Sequence, residues 1–206
     1  MKVLKSIVLL LVIMIFASGV SYAGGSLKKT QKQPQQTVTA HPQIKVNNEV
    51  FTLKFATNKT QSGEYLNEYY KPGEGPSNWT EMITVSEFPN YPNKPMDYVE
   101  AILTRDHSPN NYDRPIVSNS KSEKTTFVFL LTGKTDEAKY VEFNIMQVMP
   151  YKNSKGLKTL QYAKKYYYTD REDYTNKFKD MEDKKMYIFT QVKDLEMPEM
   201  IRQEIE

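Results

Sequence analysis

Residues 125–132 read TTFVFLLT, and this stretch decides the fold. Phe127, Phe129 and Leu131 fall on one side of an extended chain, and Val128 and Leu130 on the other, because strand side chains alternate with a period of two. A strand that is apolar on both sides must be covered on both sides. Two further runs follow after short polar turns, YVEFNIMQVM at 140–149 and LKTLQYAKKYYY at 157–168. Three strands joined this way predict an antiparallel meander.

Working back toward the N-terminus, the spacing predicts more strands. Ile44-Lys45-Val46, Asn47-Asn48 and then residues 49–55 form a hairpin signal, since asparagine tolerates the positive φ that a two-residue turn requires. Phe51, Leu53 and Phe55 alternate with Thr52 and Lys54, giving one buried and one wet face. Residues 58–63 read as a loop, 65–70 as a strand, 71–78 as an exposed connection and 79–88 as a fourth strand. Ile116-Val117 is a short strand. A helix capped by Asn93 is expected to carry an apolar stripe of Met96, Val99, Ile102 and Leu103. Residues 105–114 read as a loop.

From 170 to about 195 the chain is strongly charged, with apolar residues at Tyr174, Phe178, Met181, Met186, Phe189, Val192 and Leu195. Steps of three and four predict one or two amphipathic helices. Met197-Pro198 ends the pattern, with a last helical turn expected through Ile201. The fold class is therefore α+β: an antiparallel sheet of six to eight strands with a mid-chain helix and C-terminal amphipathic helices packed on it.

The other end carries the address. Lys2 and Lys5 precede an apolar run from Ile7 to Phe16, and Ser21-Tyr22-Ala23 offers small residues for a peptidase. This is a secretory signal peptide with cleavage after Ala23; a membrane anchor would need roughly twice the apolar length. Residues 24–43 are polar and read as a flexible leader holding His41. One domain spans 44–206, and the protein is expected in the periplasm or the medium.

Composition narrows the chemistry. There is no cysteine, so thiolate metal sites, cysteine nucleophiles and disulfides are excluded, as is a lipid-accepting residue at the cleavage point. Only His41 and His107 are present, which argues against a histidine metal site. Taking Lys2 and Lys5 from 28 basic residues leaves 26 against 25 acidic ones, no footprint for nucleic acid. The 15 tyrosines fit strands with one wet face or a contact surface. No phosphate-cradling glycine loop occurs, and no cofactor is called for.

Four groupings bear on a site. Glu68, Tyr69, Tyr70, Trp79 and Glu81 cluster around the 65–81 hairpin and are the candidate binding residues; Trp79 reads first as a core or rim anchor, with an exposed stacking platform beside Tyr69 and Tyr70 as the functional alternative. Replacing Trp79 with alanine is expected to weaken binding while the domain stays folded. Glu64, Glu68, Glu74 and Glu81 could supply a glycosidase-like carboxylate pair, though surface glutamates explain them more simply. Asp106 beside His107 could orient a general base, but adjacent residues rarely reach that geometry. Lys164 to Tyr168 is a basic aromatic strand whose Tyr162, Lys164, Tyr166 and Tyr168 share one face, expected to lie under the C-terminal helix.

Residues 68–74 (EYYKPGE) and 78–85 (NWTEMITV) resemble a pattern in small exported bacterial proteins of uncharacterised role. The order of elements is similar to Mog1/PsbP-like domains. The resemblance implies an α+β fold and no activity. The resulting expectation is a non-enzymatic exported protein that binds a protein or small ligand, without nucleic acid and without membrane insertion after cleavage. The alternatives are an inhibitor or immunity protein that presents residues 71–77, and a hydrolase using Glu81 or His107.

Overall fold

In a computed structural model, residues 42–59, 64–92, 94–110, 112–119, 123–135, 138–151 and 156–202 are described. Residues 1–23, expected as a signal peptide, together with His41, Asn93 and nearly all of the expected leader, lie outside them. Eight strands form one antiparallel sheet: β1 (Gln43–Val46), β2 (Glu49–Lys59), β3 (Glu64–Tyr70), β4 (Glu81–Phe88), β5 (Ile116–Asn119), β6 (Lys124–Lys134), β7 (Lys139–Pro150) and β8 (Leu157–Tyr168). Their spatial order is β1-β2-β3-β4-β8-β7-β6-β5. Two runs of neighbours thus meet where β4 pairs with β8, and α1 (Pro95–Leu103) carries the chain from β4 to the far edge. The second described helix, α2 (Arg171–Asp194), follows β8.

The hairpin forms as the Asn-Asn pair requires: Asn47 and Asn48 have φ of 52° and 62°, and β1 pairs with β2 from Val46 and Glu49 outward. Strand β6 is covered on both faces. Val128 and Leu130 pack with Ile145, Phe143 and Tyr162 beneath Met181, Ile188, Phe189 and Val192 of α2. Phe127 and Phe129 pack with Met146 and Val148 beneath Tyr98, Val99 and Ile102 of α1. Tyr162 and Tyr166 are buried under α2, and the Tyr168 and Tyr174 rings meet at 5.1 Å.

Both helices differ in detail from the sequence expectation. The α2 stripe runs Tyr174, Phe178, Met181, Lys185, Ile188, Val192, Leu195, one unbroken seam. Its centre is a lysine, which hides the continuity; Lys185 is only 4% exposed because its ammonium donates to the Asp113 carbonyl (2.7 Å) and lies 4.4 Å from the Tyr112 ring centre. Met186, expected inside, is 51% exposed. Asp170 caps the helix by accepting from the Asp173 amide at 2.9 Å. In α1, Met96 is exposed and Tyr98 is buried instead, and the cap position is Lys94, whose amide donates to Asp97 at 2.9 Å. Residues 195–202 are not a helical turn: Leu195 is extended (ψ 134°), and the tail is held by Asn67, which donates to the Ile201 carbonyl (2.9 Å) and accepts from its amide (2.7 Å).

The 105–114 loop has a defined task at the edge of β6. The Asp106 carboxylate, with no exposed side-chain surface, accepts from the Leu130 amide (2.8 Å), from the Ser108 amide and hydroxyl (3.0 and 2.6 Å) and from Arg114 (2.7 Å). Burial raises its pKa, but those donors outweigh burial and hold it below the usual aspartate value. A depressed carboxylate contributes stability that is present above its unfolded pKa and is lost as pH falls through the folded one. Asp106→Ala, followed by urea denaturation, is expected to lose about 3 kcal/mol near neutrality. The gap to the unsubstituted protein should narrow below about pH 4; a gap independent of pH would disprove the role of the charge.

Candidate functional site

The two faces of the sheet are covered unequally. At 1.5 Å per residue, the 24-residue α2 spans the sheet, whereas the nine-residue α1 covers only part of the opposite face. What remains open there is a groove of about 230 Å³ between α1 and the β3–β4 connection. Pro76 and Trp79 line one side and Tyr98, Ile102 and Arg105 the other.

The floor follows from register. Cross-strand partners face the same way, so Leu66, Glu68 and Tyr70 of β3 lie beside Ser86, Thr84 and Met82 of β4, and these beside Thr159, Gln161 and Ala163 of β8. Glu142 and Met146 of β7 and Phe129 and Leu131 of β6 complete the lining. The groove is apolar at its walls and polar in the middle of its floor, the usual pattern of a small-molecule site.

Alternation separates the five residues singled out from sequence. Glu68, Tyr70 and Trp79 line the groove. Tyr69 and Glu81 do not: Tyr69 packs in the core under α2, and Glu81, on the same face, accepts from the Tyr162 hydroxyl (3.0 Å) and pairs with Lys164 (3.0 Å) and Lys71 (3.5 Å). Burial pushes the Glu81 pKa up, but the bond and charge of Lys164, the charge of Lys71 and the Tyr162 bond together bring it below its ordinary value. Glu64 is buried in β3, and Glu74 accepts from the Thr80 hydroxyl at 2.5 Å, pinning the connection. His107 lies away from the groove, its Nδ1 accepting from the Thr132 amide at 3.1 Å, and Asp106 is committed to its own donors.

Trp79 is 7% exposed and packs with Tyr70 and Ala163, while the Lys165 ammonium lies 3.5 Å from its ring centre. It is a wall of the groove and part of the packing at once. Trp79→Ala is therefore expected to destabilise the fold, contrary to the sequence expectation. Tyr70 donates to Glu68 at 2.5 Å; burial first, then the Glu68 charge, raises its pKa and keeps it a donor.

Three floor residues were missed from sequence. Glu142 is 8% exposed in a strand otherwise rich in apolar residues; burial raises its pKa against the opposing charge of Lys165 and a bond from Asn144. Gln161 donates to Asn144 at 2.7 Å. The Thr84 hydroxyl is buried without a hydrogen-bond partner among the described residues. A polar residue inside an apolar run was the available signal, most clearly in Glu142.

With this geometry in place, similarity to known proteins adds one fact. The chain belongs to an uncharacterised bacterial family whose profile matches residues 38–194. No curated protein and no solved structure matches it. The matched span includes every strand and both helices among the described residues, hence the whole groove. No helix among the described residues is long and apolar enough to cross a membrane.

Two expectations follow for the floor. Glu142 has a raised pKa, so the stability linked to its neutral form is present below the unfolded glutamate value and is lost as pH rises through the folded value. Glu142→Gln should be more stable than the unsubstituted protein at pH 7 and match it near pH 4; thermal melts across that range check this, and equal melting temperatures at pH 7 would refute it. Thr84→Val removes an unsatisfied buried hydroxyl at nearly constant shape. It should raise stability by up to about 1 kcal/mol in denaturant titrations, and a clear loss would show that the hydroxyl is satisfied.

Proposed function

We propose that this protein is an exported, non-enzymatic binding protein that holds a small amphipathic ligand in the groove between α1 and the β3–β4 connection. The observation that carries the reading is the partial cover of one sheet face: a small, apolar-walled groove whose floor holds a buried hydroxyl without a partner among the described residues. Such a group is unfavourable in the empty protein, and a ligand able to bond it removes that penalty. Its volume, about 230 Å³, is below the ~300–1,000 Å³ of pockets for drug-sized molecules, which favours a small ligand over a protein segment. Export rests on the basic, apolar and small-residue order of residues 1–23, with the mature chain beginning at Gly24 in the periplasm or medium. The NWTEMITV-like strand and the Mog1/PsbP-like order of elements agree with this reading, one sheet between two helical layers serving as a frame for a site on one face.

The alternatives draw less support. The β3–β4 connection folds back over the groove, with Pro76 in its lining and Asn78 accepting from the Gly75 amide at 2.8 Å, where an inhibitor would present a protruding loop. Glu81 and His107 do not converge on the groove, as the hydrolase reading needs.

Trp79 is the only tryptophan and lines the groove, so its emission reports occupancy directly. Titrating the purified protein with small amphipathic compounds is expected to give a saturable emission change. Ser86→Phe, which fills the floor, should abolish it while the protein stays folded by circular dichroism. No change with any compound, or an unaltered change in Ser86→Phe, would overturn the groove reading. Recovery of the protein in the cytoplasm with residues 1–23 attached would overturn export.

A further inference from the structure

We infer that the ligand of this groove is a small organic cation, an amine whose ammonium sits over Thr84 and whose apolar body lies between the aromatic walls. The inference rests on the groove reading above and adds the charge and chemistry of the ligand. Glu68, Thr84 and Gln161 are successive cross-strand partners on β3, β4 and β8, and all three line the groove. Neighbouring strands lie about 4.8 Å apart, so the three side chains form a row spanning less than 10 Å with Thr84 at its centre.

The row is rich in acceptors. Glu68 brings a carboxylate, which already accepts from the Tyr70 hydroxyl at 2.5 Å and, with several lone pairs, can accept more than one donor. Gln161 directs its amide nitrogen to Asn144 at 2.7 Å, which leaves its carbonyl oxygen to accept. The Thr84 hydroxyl, in a residue 9% exposed, has no partner among the described residues and can accept as well. An ammonium carries three donors and no acceptor, and a single nitrogen above Thr84 can serve all three groups at ordinary hydrogen-bond lengths. A carboxylate in that place would meet Glu68 with like charge. The Lys165 ammonium is engaged on the Trp79 ring rather than on this row.

The test uses three probes of one shape and different charge: benzylammonium, benzyl alcohol and benzoate. Each is titrated calorimetrically into the purified protein near pH 7 at low salt, and its site is located by amide chemical-shift changes. Benzylammonium is expected to bind about tenfold more tightly than benzyl alcohol, since its head forms charge-assisted bonds. Glu68→Gln should erase that preference, and Thr84→Val should reduce it while leaving the protein folded. Equal affinity for all three probes, or preference for benzoate, overturns the cation assignment and leaves the groove reading standing. Absence of shifts around Thr84, Gln161 and Met146 with every probe overturns both.

Discussion

The pairing of β4 with β8 is the constraint on which the rest of the structure depends. It joins the N-terminal run β1–β4 to the meander β5–β8, and its register runs unbroken from Glu81 opposite Lys164 to Phe88 opposite Leu157. Once that register is set, alternation assigns each side chain in the middle of the sheet to one face. Ile83, Val85, Leu160 and Tyr162 go to the α2 side, while Met82, Thr84, Gln161 and Ala163 go to the other. A slip of one residue in β4 against β8 would turn β4 over, placing Thr84 under α2 and moving Ile83 and Val85 into the groove. The apolar content of the α2 face thus secures the polar floor on the reverse.

Unequal helix cover turns this sheet into a site. A sheet apolar on both sides exposes what no helix reaches, and α1 is a nine-residue crossover whose path is set by the need to bring the chain from β4 to the far edge. It packs over Phe127, Phe129 and Met146 and leaves the β3–β4–β8 part of that face to the connection that holds Pro76 and Trp79. That connection is tied to its own backbone, through Glu74 to Thr80 and through Asn78 to Gly75. The groove therefore has a built rim on one side and a helix on the other. Its walls can be rigid without closing.

Local signals in the sequence were enough for the strands and poorer for what joins them. The Asn-Asn turn, the two-faced 125–132 run and the basic aromatic face under α2 are all visible within a few residues, because each depends on local dihedral preference or alternation. The seam between β4 and β8 links residues about 80 positions apart, and no local pattern specifies it. The single α2 seam was obscured by Lys185, whose aliphatic stem packs like an apolar residue while its ammonium finds the Asp113 carbonyl. The tail at 195–202 depends on one buried amide, Asn67, which sits 134 residues from its partner Ile201.

The candidate site shows the same division. Residues 68–70 looked like one cluster because they are adjacent in sequence, yet adjacency in a strand means opposite faces, and Tyr69 belongs to the α2 core while Glu68 and Tyr70 face the groove. Glu81 followed Tyr69 for the same reason. Applied to the candidates themselves, period-two alternation would have separated them, since Glu68 and Tyr70 share a parity that Tyr69 lacks. What no amount of parity supplies is the partner across the seam. Thr84 becomes the centre of an acceptor row only because Gln161 is brought beside it, and the energetic tension in that row, a buried hydroxyl with nothing to bond, exists only in the folded chain. The part of the site that asks for a ligand is a product of tertiary structure rather than of any segment read alone.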